Sequence, residues 1–285
     1  MTPTRIIPLT LALAVLLAAC GGPSTVTAPA SVLTVGLSAD AESLDPFFVN
    51  QAAGWSVAAA LFDHLIERDF DGQLVPGLAE SWRMVDETTL EFRLRPGVRF
   101  HDGEPCDARA VQFSVARMLR EDLNAPNRSK FTAIESVEVV DERTVRFHLS
   151  HPDGGLLDSL SSRLPVLPPD YLTSVGDAGF AAAPVGTGPF TFVEWLPDDH
   201  LTLAANPDYW EGSYKGRPLV DQVIFRPIPE NSPRLAELQT GGIDIMQDLP
   251  SDHIAAAEGA GMVVVTDETY QLSYVFLVAD DPALP

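Results

Sequence analysis

Positive charge is scarce in this sequence. Eighteen lysines and arginines face 40 aspartates and glutamates, for a formal net charge of −22 over 285 residues. Such a chain repels phosphate backbones and anionic headgroups, so no nucleic acid partner is expected. The acidic residues are spread along the chain and form no tail, which reads as solubility. Long apolar runs are scarce too. After the N-terminal one, none approaches the ~20 residues of a membrane-crossing helix. Catalytic signatures are missing: there is no Gly-x-Ser-x-Gly elbow and no His-Glu-x-x-His. Carboxylates are plentiful, but no catalytic pair stands out, so no enzyme is expected. His64, His101, His148, His151, His200 and His253 are scattered, and none reads as a metal ligand. No cofactor is expected. Cysteine occurs only as Cys20 and Cys106, and Cys106 reads as a small packed residue without a nucleophile's surroundings.

What the chain does have begins at its N-terminus. Arg5 precedes an apolar run, Ile6 to Ala19, that stops at Leu17-Ala18-Ala19-Cys20. A basic start, an apolar core and small residues before a break describe a secretory signal. The core of about a dozen residues is too short to cross ~30 Å of hydrocarbon. Leu17-Ala18-Ala19-Cys20 resembles the bacterial lipoprotein box. The resemblance implies cleavage before Cys20 and a diacylglyceryl group on its thiol. Residues 1–19 are then a signal peptide and 20–30 a Pro/Ser/Thr-rich lipid tether. With Cys20 lipidated, Cys106 has no disulfide partner.

Downstream, strands and helices alternate without a strict βαβ rhythm, which predicts an α/β domain with a mixed sheet. Val32–Leu37 reads as a buried strand and Ser38–Asn50 as a loop. Ser56–Ile66 reads as a helix with Val57, Leu61 and Leu65 on one face. Leu90, Phe92 and Leu94 alternate with charged residues up to Pro96-Gly97, a half-buried strand. Asp107 caps a predicted helix over Ala108–Leu119. Val137–Val140 and Thr144–Leu149 form one hairpin; Phe190–Trp195 and Leu201–Ala205 form another. Gln222–Arg226 is a strand. A helix capped by Ser232 ends at Gly241-Gly242. Ile243–Met246 is a short strand, Pro250–Gly259 a helix, and Met262–Thr266 and Leu272–Val278 are strands.

Six phrases then carry a resemblance. They are Ser43-Leu44-Asp45-Pro46, Pro76-Gly77-Leu78-Ala79-Glu80-Ser81-Trp82, and Leu90 through Phe100-His101-Asp102-Gly103. Val185-Gly186-Thr187-Gly188-Pro189-Phe190, Asn206-Pro207-Asp208-Tyr209-Trp210 and Gly241-Gly242-Ile243-Asp244-Ile245-Met246 follow. In this order and spacing they resemble bacterial extracellular solute-binding proteins of family 5, which feed peptide, oligopeptide and nickel ABC importers. The resemblance covers about residues 33 to 280. Read physically, the phrases are scaffold: turns that end strands, glycines that let backbones meet, and aromatics that pack.

The resemblance implies a lobe like that of periplasmic binding proteins, with an inserted α+β subdomain. Residues 31–58 and 178–278 would form lobe I, residues 59–177 the insertion, and residues 279–285 the start of a crossing to a second lobe. Relatives are close to double this length, so the expectation is a C-terminally truncated chain whose second lobe is missing. Ligand contacts carry over to Asn50, Gln51 and Ala52 in the loop after Asp45-Pro46, and to Asn127. Their amides suit the N–H and C=O groups of an extended peptide. The implied role is capture of peptides or a related solute outside the membrane and delivery to ABC permease subunits, by a monomer held to the cell membrane through its lipid. Two alternatives stay open: a lipid-anchored sensor that docks a protein partner, and an extracytoplasmic hydrolase.

Overall fold

The computed structural model describes residues 30–69 and 71–266. The signal peptide, Cys20, nearly all of the tether, the predicted strand Leu272–Val278 and residues 279–285 lie outside the described residues.

In chain order the strands are β1 (Val32–Leu37), β2 (Ile66–Arg68), β3 (Leu74–Pro76), β4 (Ala79–Asp86), β5 (Thr89–Leu94), β6 (Ile134–Asp141), β7 (Thr144–Leu149), β8 (Phe190–Leu196), β9 (His200–Ala205), β10 (Gln222–Pro227) and β11 (Ile245–Met246). The helices are α1 (Ala52–Leu61), α2 (Ala108–Leu119), α3 (Leu156–Leu160), α4 (Pro169–Ala182), α5 (Asn231–Thr240) and α6 (Ile254–Gly259). A five-stranded sheet runs β11-β1-β10-β9-β8, with β1 parallel to both β10 and β11 and the β9 and β8 pairings antiparallel. A four-stranded antiparallel sheet runs β4-β5-β7-β6, and β2 pairs with β3. The class is mixed α/β, as expected.

Alternation explains the second sheet. Leu90, Phe92 and Leu94 of β5 and Val145, Phe147 and Leu149 of β7 turn one face inward, and Phe92 meets Phe147 edge-on at 5.2 Å. Helix α2 covers that face with Val111, Val115 and Met118. Its cap is as predicted: the Asp107 carboxylate accepts from the N–H groups of Arg109 (2.8 Å) and Ala110 (3.1 Å). One apolar core runs from this sheet through α1 to Leu201, Val223 and Phe225 of the first sheet. Cys106 is buried in it, and burial pushes its thiol pKa up, leaving it inert.

Several expectations are corrected. Helix α1 begins at Ala52, not Ser56, and ends at Leu61, so Leu65 and Ile66 belong to the following loop and strand. The loop Ser38–Asn50 contains a 3₁₀ turn at Pro46–Phe48. Helix α5 starts at Asn231 after Glu230, which places Ser232 inside the first turn. There the buried Arg234 organises the turn, donating to Asn231 Oδ1 and to the carbonyls of Ile228 and Pro229. Pro250–Gly259 divides into a 3₁₀ turn, Ser251–His253, and α6. Met262–Thr266 is not a strand. Val263 and Val265 are 90 % and 88 % exposed, and β-branched residues without a partner strand among the described residues gain little from extension. Helices α3 and α4 were not anticipated. Helix α4 is two short helices joined across a kink at Gly176 (φ +72°), a composition with weak helical propensity.

Candidate functional site

Helix α1 is held at both ends by residues remote in sequence. At its N-terminus the Glu42 carboxylate accepts from the N–H groups of Asn50 (2.5 Å) and Gln51 (2.7 Å). That supplies the cap that Gln51, at the N-cap position, does not supply itself. Gly54 makes room for the clasp, since a Cβ there would stand 2.6 Å from Glu42 Oε2. At the C-terminus, the Gly188 N–H donates to Leu61 O (2.9 Å). The Lys215 ammonium donates to Ala59 O (2.9 Å) and Phe62 O (2.6 Å). Gly186 and Gly188 cross the last turn so closely that a Cβ would lie 2.0 Å from Leu61 O and 2.5 Å from Ala60 O, respectively.

Just beyond α1, the buried Asp63 is fully occupied. Oδ1 accepts from Tyr209 Oη (3.0 Å) and Lys215 Nζ (2.7 Å). Oδ2 accepts from Thr187 Oγ1 (3.1 Å) and Trp210 Nε1 (2.9 Å). Glu67 lies 3.7 Å from Lys215 Nζ. Burial works against the Glu67 charge, but His64 and Lys215 outweigh it and hold the carboxyl at about 2. Burial likewise opposes the Lys215 charge, and Asp63 with Glu67 raises its pKa above the ordinary lysine value. The His101 ring accepts from Gly186 N–H at Nδ1 (3.2 Å) and donates from Nε2 to Gly188 O (3.0 Å). Its burial lowers the ring pKa, which suits this neutral tautomer. Asn206 Nδ2 also reaches Gly188 O (3.1 Å), and Arg95 Nε reaches Gly77 O (2.7 Å). The sequence phrases thus bind one another, which makes them scaffold.

A second buried centre holds the Asp45-Pro46 loop. The Arg117 guanidinium grips Asp45 (2.5 Å) and Asp177 (2.8 Å) and lies over Phe47 and Phe180. Burial opposes the charge, and the two carboxylates raise its pKa. The loop bearing Asn50 is therefore pinned by Arg117 at one end and by Glu42 at the other.

The exposed face of α1 is different. Gln51, Ala52, Trp55, Ser56 and Ala59 share it at helical spacing, and none is buried. The Arg163 guanidinium lies over the Trp55 ring, 4.5 Å from its centre. Trp55 Nε1 is sealed from solvent yet has no hydrogen-bond partner among the described residues. Gln247, immediately after β11, donates from Nε2 to Ser56 Oγ (3.1 Å), while its buried Oε1 has no partner among the described residues. This face therefore lies at the carboxyl ends of the parallel strands β1 and β11, where ligands of open α/β sheets gather.

The predicted contacts divide between two places. Asn50, Gln51 and Ala52 are exposed and run directly into this face. Asn127 is buried ahead of a 3₁₀ turn (Arg128–Phe131) that packs on α3, and its Nδ2 has no partner among the described residues. Arg163 follows α3, and its N–H donates back to Ser159 O (2.9 Å). Sequence reasoning missed Trp55, Arg163 and Gln247. The available signal was an aromatic one turn past the predicted contacts. A separate groove of about 580 Å³ between α2 and β6, lined by Gln112, Phe113, Leu119, Ile134 and Val137, contains none of these groups. No cluster of three or more metal-ligating side chains occurs among the described residues.

Comparison with known proteins gives a consistent result. Residues 73–284 match "Bacterial extracellular solute-binding proteins, family 5 Middle". The chain is 33 % identical over 219 residues to the glutathione-binding protein GsiB of Pectobacterium atrosepticum, covering 76 % of this chain and 42 % of that protein. It is 27 % identical to the oligopeptide-binding protein AppA of Bacillus subtilis, covering 97 % of this chain and 53 % of that one. Among solved structures, the PBP AgaA of A. tumefaciens R10, in complex with agropinic acid, superposes with a TM-score of 0.75 at 31 % identity. That match covers 80 % of this chain and 46 % of AgaA. The chain spans about half the length of the curated relatives it matches.

Proposed function

The chain belongs to the bacterial extracellular solute-binding proteins of family 5, and on that premise we propose that it captures peptides or a related solute and delivers them to an ABC permease. The relatives named above are binding proteins, and the reading includes no chemistry on the solute. It includes export across the membrane, attachment through lipid on Cys20, and action as a monomer outside the cytoplasm. It also includes the division into a two-segment lobe, residues 31–58 with 178–278, and an insertion, 59–177. The two larger sheets fit that division, since β1 and β8–β11 make one and β4–β7 the other.

The observation that carries the reading is the unpaired hydrogen-bonding capacity at and near the predicted contacts. Trp55 Nε1, Gln247 Oε1 and Asn127 Nδ2 are shut off from water without hydrogen-bond partners among the described residues, as are the His64 ring nitrogens and Arg234 Nε in the scaffold. Such groups cost about 1–3 kcal/mol each unless something fills them. An extended solute with N–H and C=O groups is suited to fill the first three, beside the exposed loop Asn50–Ala52. A thermal-shift series with di-, tri- and oligopeptides tests this on the full chain. Saturating peptide raises Tm if the reading holds, because a ligand at 100 times Kd adds about 2.7 kcal/mol. Failure of every peptide and of glutathione to shift Tm overturns it.

A further inference from the structure

One cation on the α1 face is out of keeping with the rest of the molecule. In so acidic a chain, most described arginines hold a carboxylate. Arg95, Arg99 and Arg234 do not, and each donates to backbone carbonyls instead. The half-buried Arg163 guanidinium has neither kind of acceptor among the described residues and lies over the face of Trp55. A guanidinium carries five N–H donors in a fixed plane, and stacking on an indole fixes that plane while leaving its edges free. The same indole holds a second unpartnered donor, Nε1, closed to solvent.

We propose that Arg163 and Trp55 form an anion subsite, and that the solute of this protein presents a carboxylate to the exposed face of α1. The proposal rests on the solute-binding reading and narrows it to acidic solutes or to peptides bound by a free carboxyl end. Carboxylate is the chemistry that fits: a planar pair of oxygens meets a guanidinium edge with two parallel bonds and can accept from an indole N–H as well. A neutral amide in its place leaves guanidinium donors unpaired. The placement agrees, because Trp55 stands one turn beyond Gln51, in the helix that the Asn50–Ala52 loop enters. Asp63 and Arg117 organise the neighbouring loops without reference to Arg163.

The test is calorimetric titration of the full chain with two matched pairs of probes: tri-alanine against tri-alanine amide, and reduced glutathione against its diethyl ester. Wild type is expected to bind at least one acid about tenfold or more tightly than its neutral partner, the scale of a charge-assisted hydrogen bond. R163Q should bring that ratio to about one by weakening the acid far more than the neutral probe. R163K should keep part of it, since charge remains and the planar fork is lost. W55F, which keeps a ring and removes the N–H, should fall between wild type and R163Q and keeps the proposal testable if R163Q fails to fold. Equal binding of acid and neutral probes by wild type, or equal weakening of both by R163Q, overturns the anion subsite and leaves solute capture standing. If wild type binds none of the four probes, peptide capture itself falls and takes the subsite with it.

Discussion

Two polar centres sit on the same helix and are built in opposite ways. At the C-terminal end of α1, Asp63 receives four donors and Lys215 is spread over two carbonyls and a carboxylate, so each is filled from within the chain. On the exposed face, Trp55 Nε1 and Gln247 Oε1 are equally closed to water and have no partner among the described residues. Burial is common to both, so it is not what distinguishes them. Satisfaction of the charged groups does: Asp63 and Lys215 have every partner present, while the ring nitrogens of His64 beside them are, like Trp55 Nε1, buried without a hydrogen-bond partner among the described residues. A buried group with every partner present is explained by the fold, and one without partners needs an explanation of its own.

The largest effect should come from breaking the filled centre. D63N turns an acceptor-only side chain into one that presents N–H groups to Lys215 or to two other donors, and leaves an ammonium with reduced compensation. Losing one partner of a buried ion pair costs about 3–5 kcal/mol. The expected outcome in urea or thermal unfolding is a loss of that size, with solute affinity lost only as the fold is lost. A variant that kept its stability while losing solute would place Asp63 on the functional side of the comparison.

Glu67 gives the same contrast a pH dependence. Its carboxyl is near 2 in the folded chain against a reference of 4.5. The folded pKa is depressed, so its contribution is fully present above about 4.5 and is lost as pH falls toward 2. A shift of that width corresponds to roughly 3 kcal/mol. Wild type should therefore exceed E67Q in unfolding free energy by about that amount at pH 7, with the gap closing across the acid window. A gap that stayed constant from pH 7 to pH 2 would show that packing, and not charge, holds Glu67 in place.

How much of this was legible beforehand follows from the same distinction. Local chemistry was readable: Asp107 as a cap, the alternation of Leu90, Phe92 and Leu94, and the close crossing at Gly186 and Gly188. The ends of α1 were not. Glu42, Gly188 and Lys215 cap it from 8 to 156 residues away, and no pattern within Ser56–Ile66 carries that information. Resemblance pointed to the loop Asn50–Ala52 and to Asn127. It did not point to Trp55, Arg163 or Gln247, because an unpaired polar atom is a property of the folded surroundings and leaves no periodicity in the chain.

The smallest effect on stability should be the most informative. Asn127 is 8 % exposed with an idle Nδ2, so N127L removes a polar group that the fold does not use and replaces it with an apolar one of similar reach. Exchanging an unsatisfied buried donor for hydrocarbon is close to neutral, or stabilising by up to about 1 kcal/mol. If Asn127 belongs with the unfilled groups, N127L should keep or raise Tm while weakening tri-alanine binding about tenfold in titration. If it belongs with the filled ones, Tm should drop and affinity should follow it. The two readings thus predict opposite signs for one thermal shift.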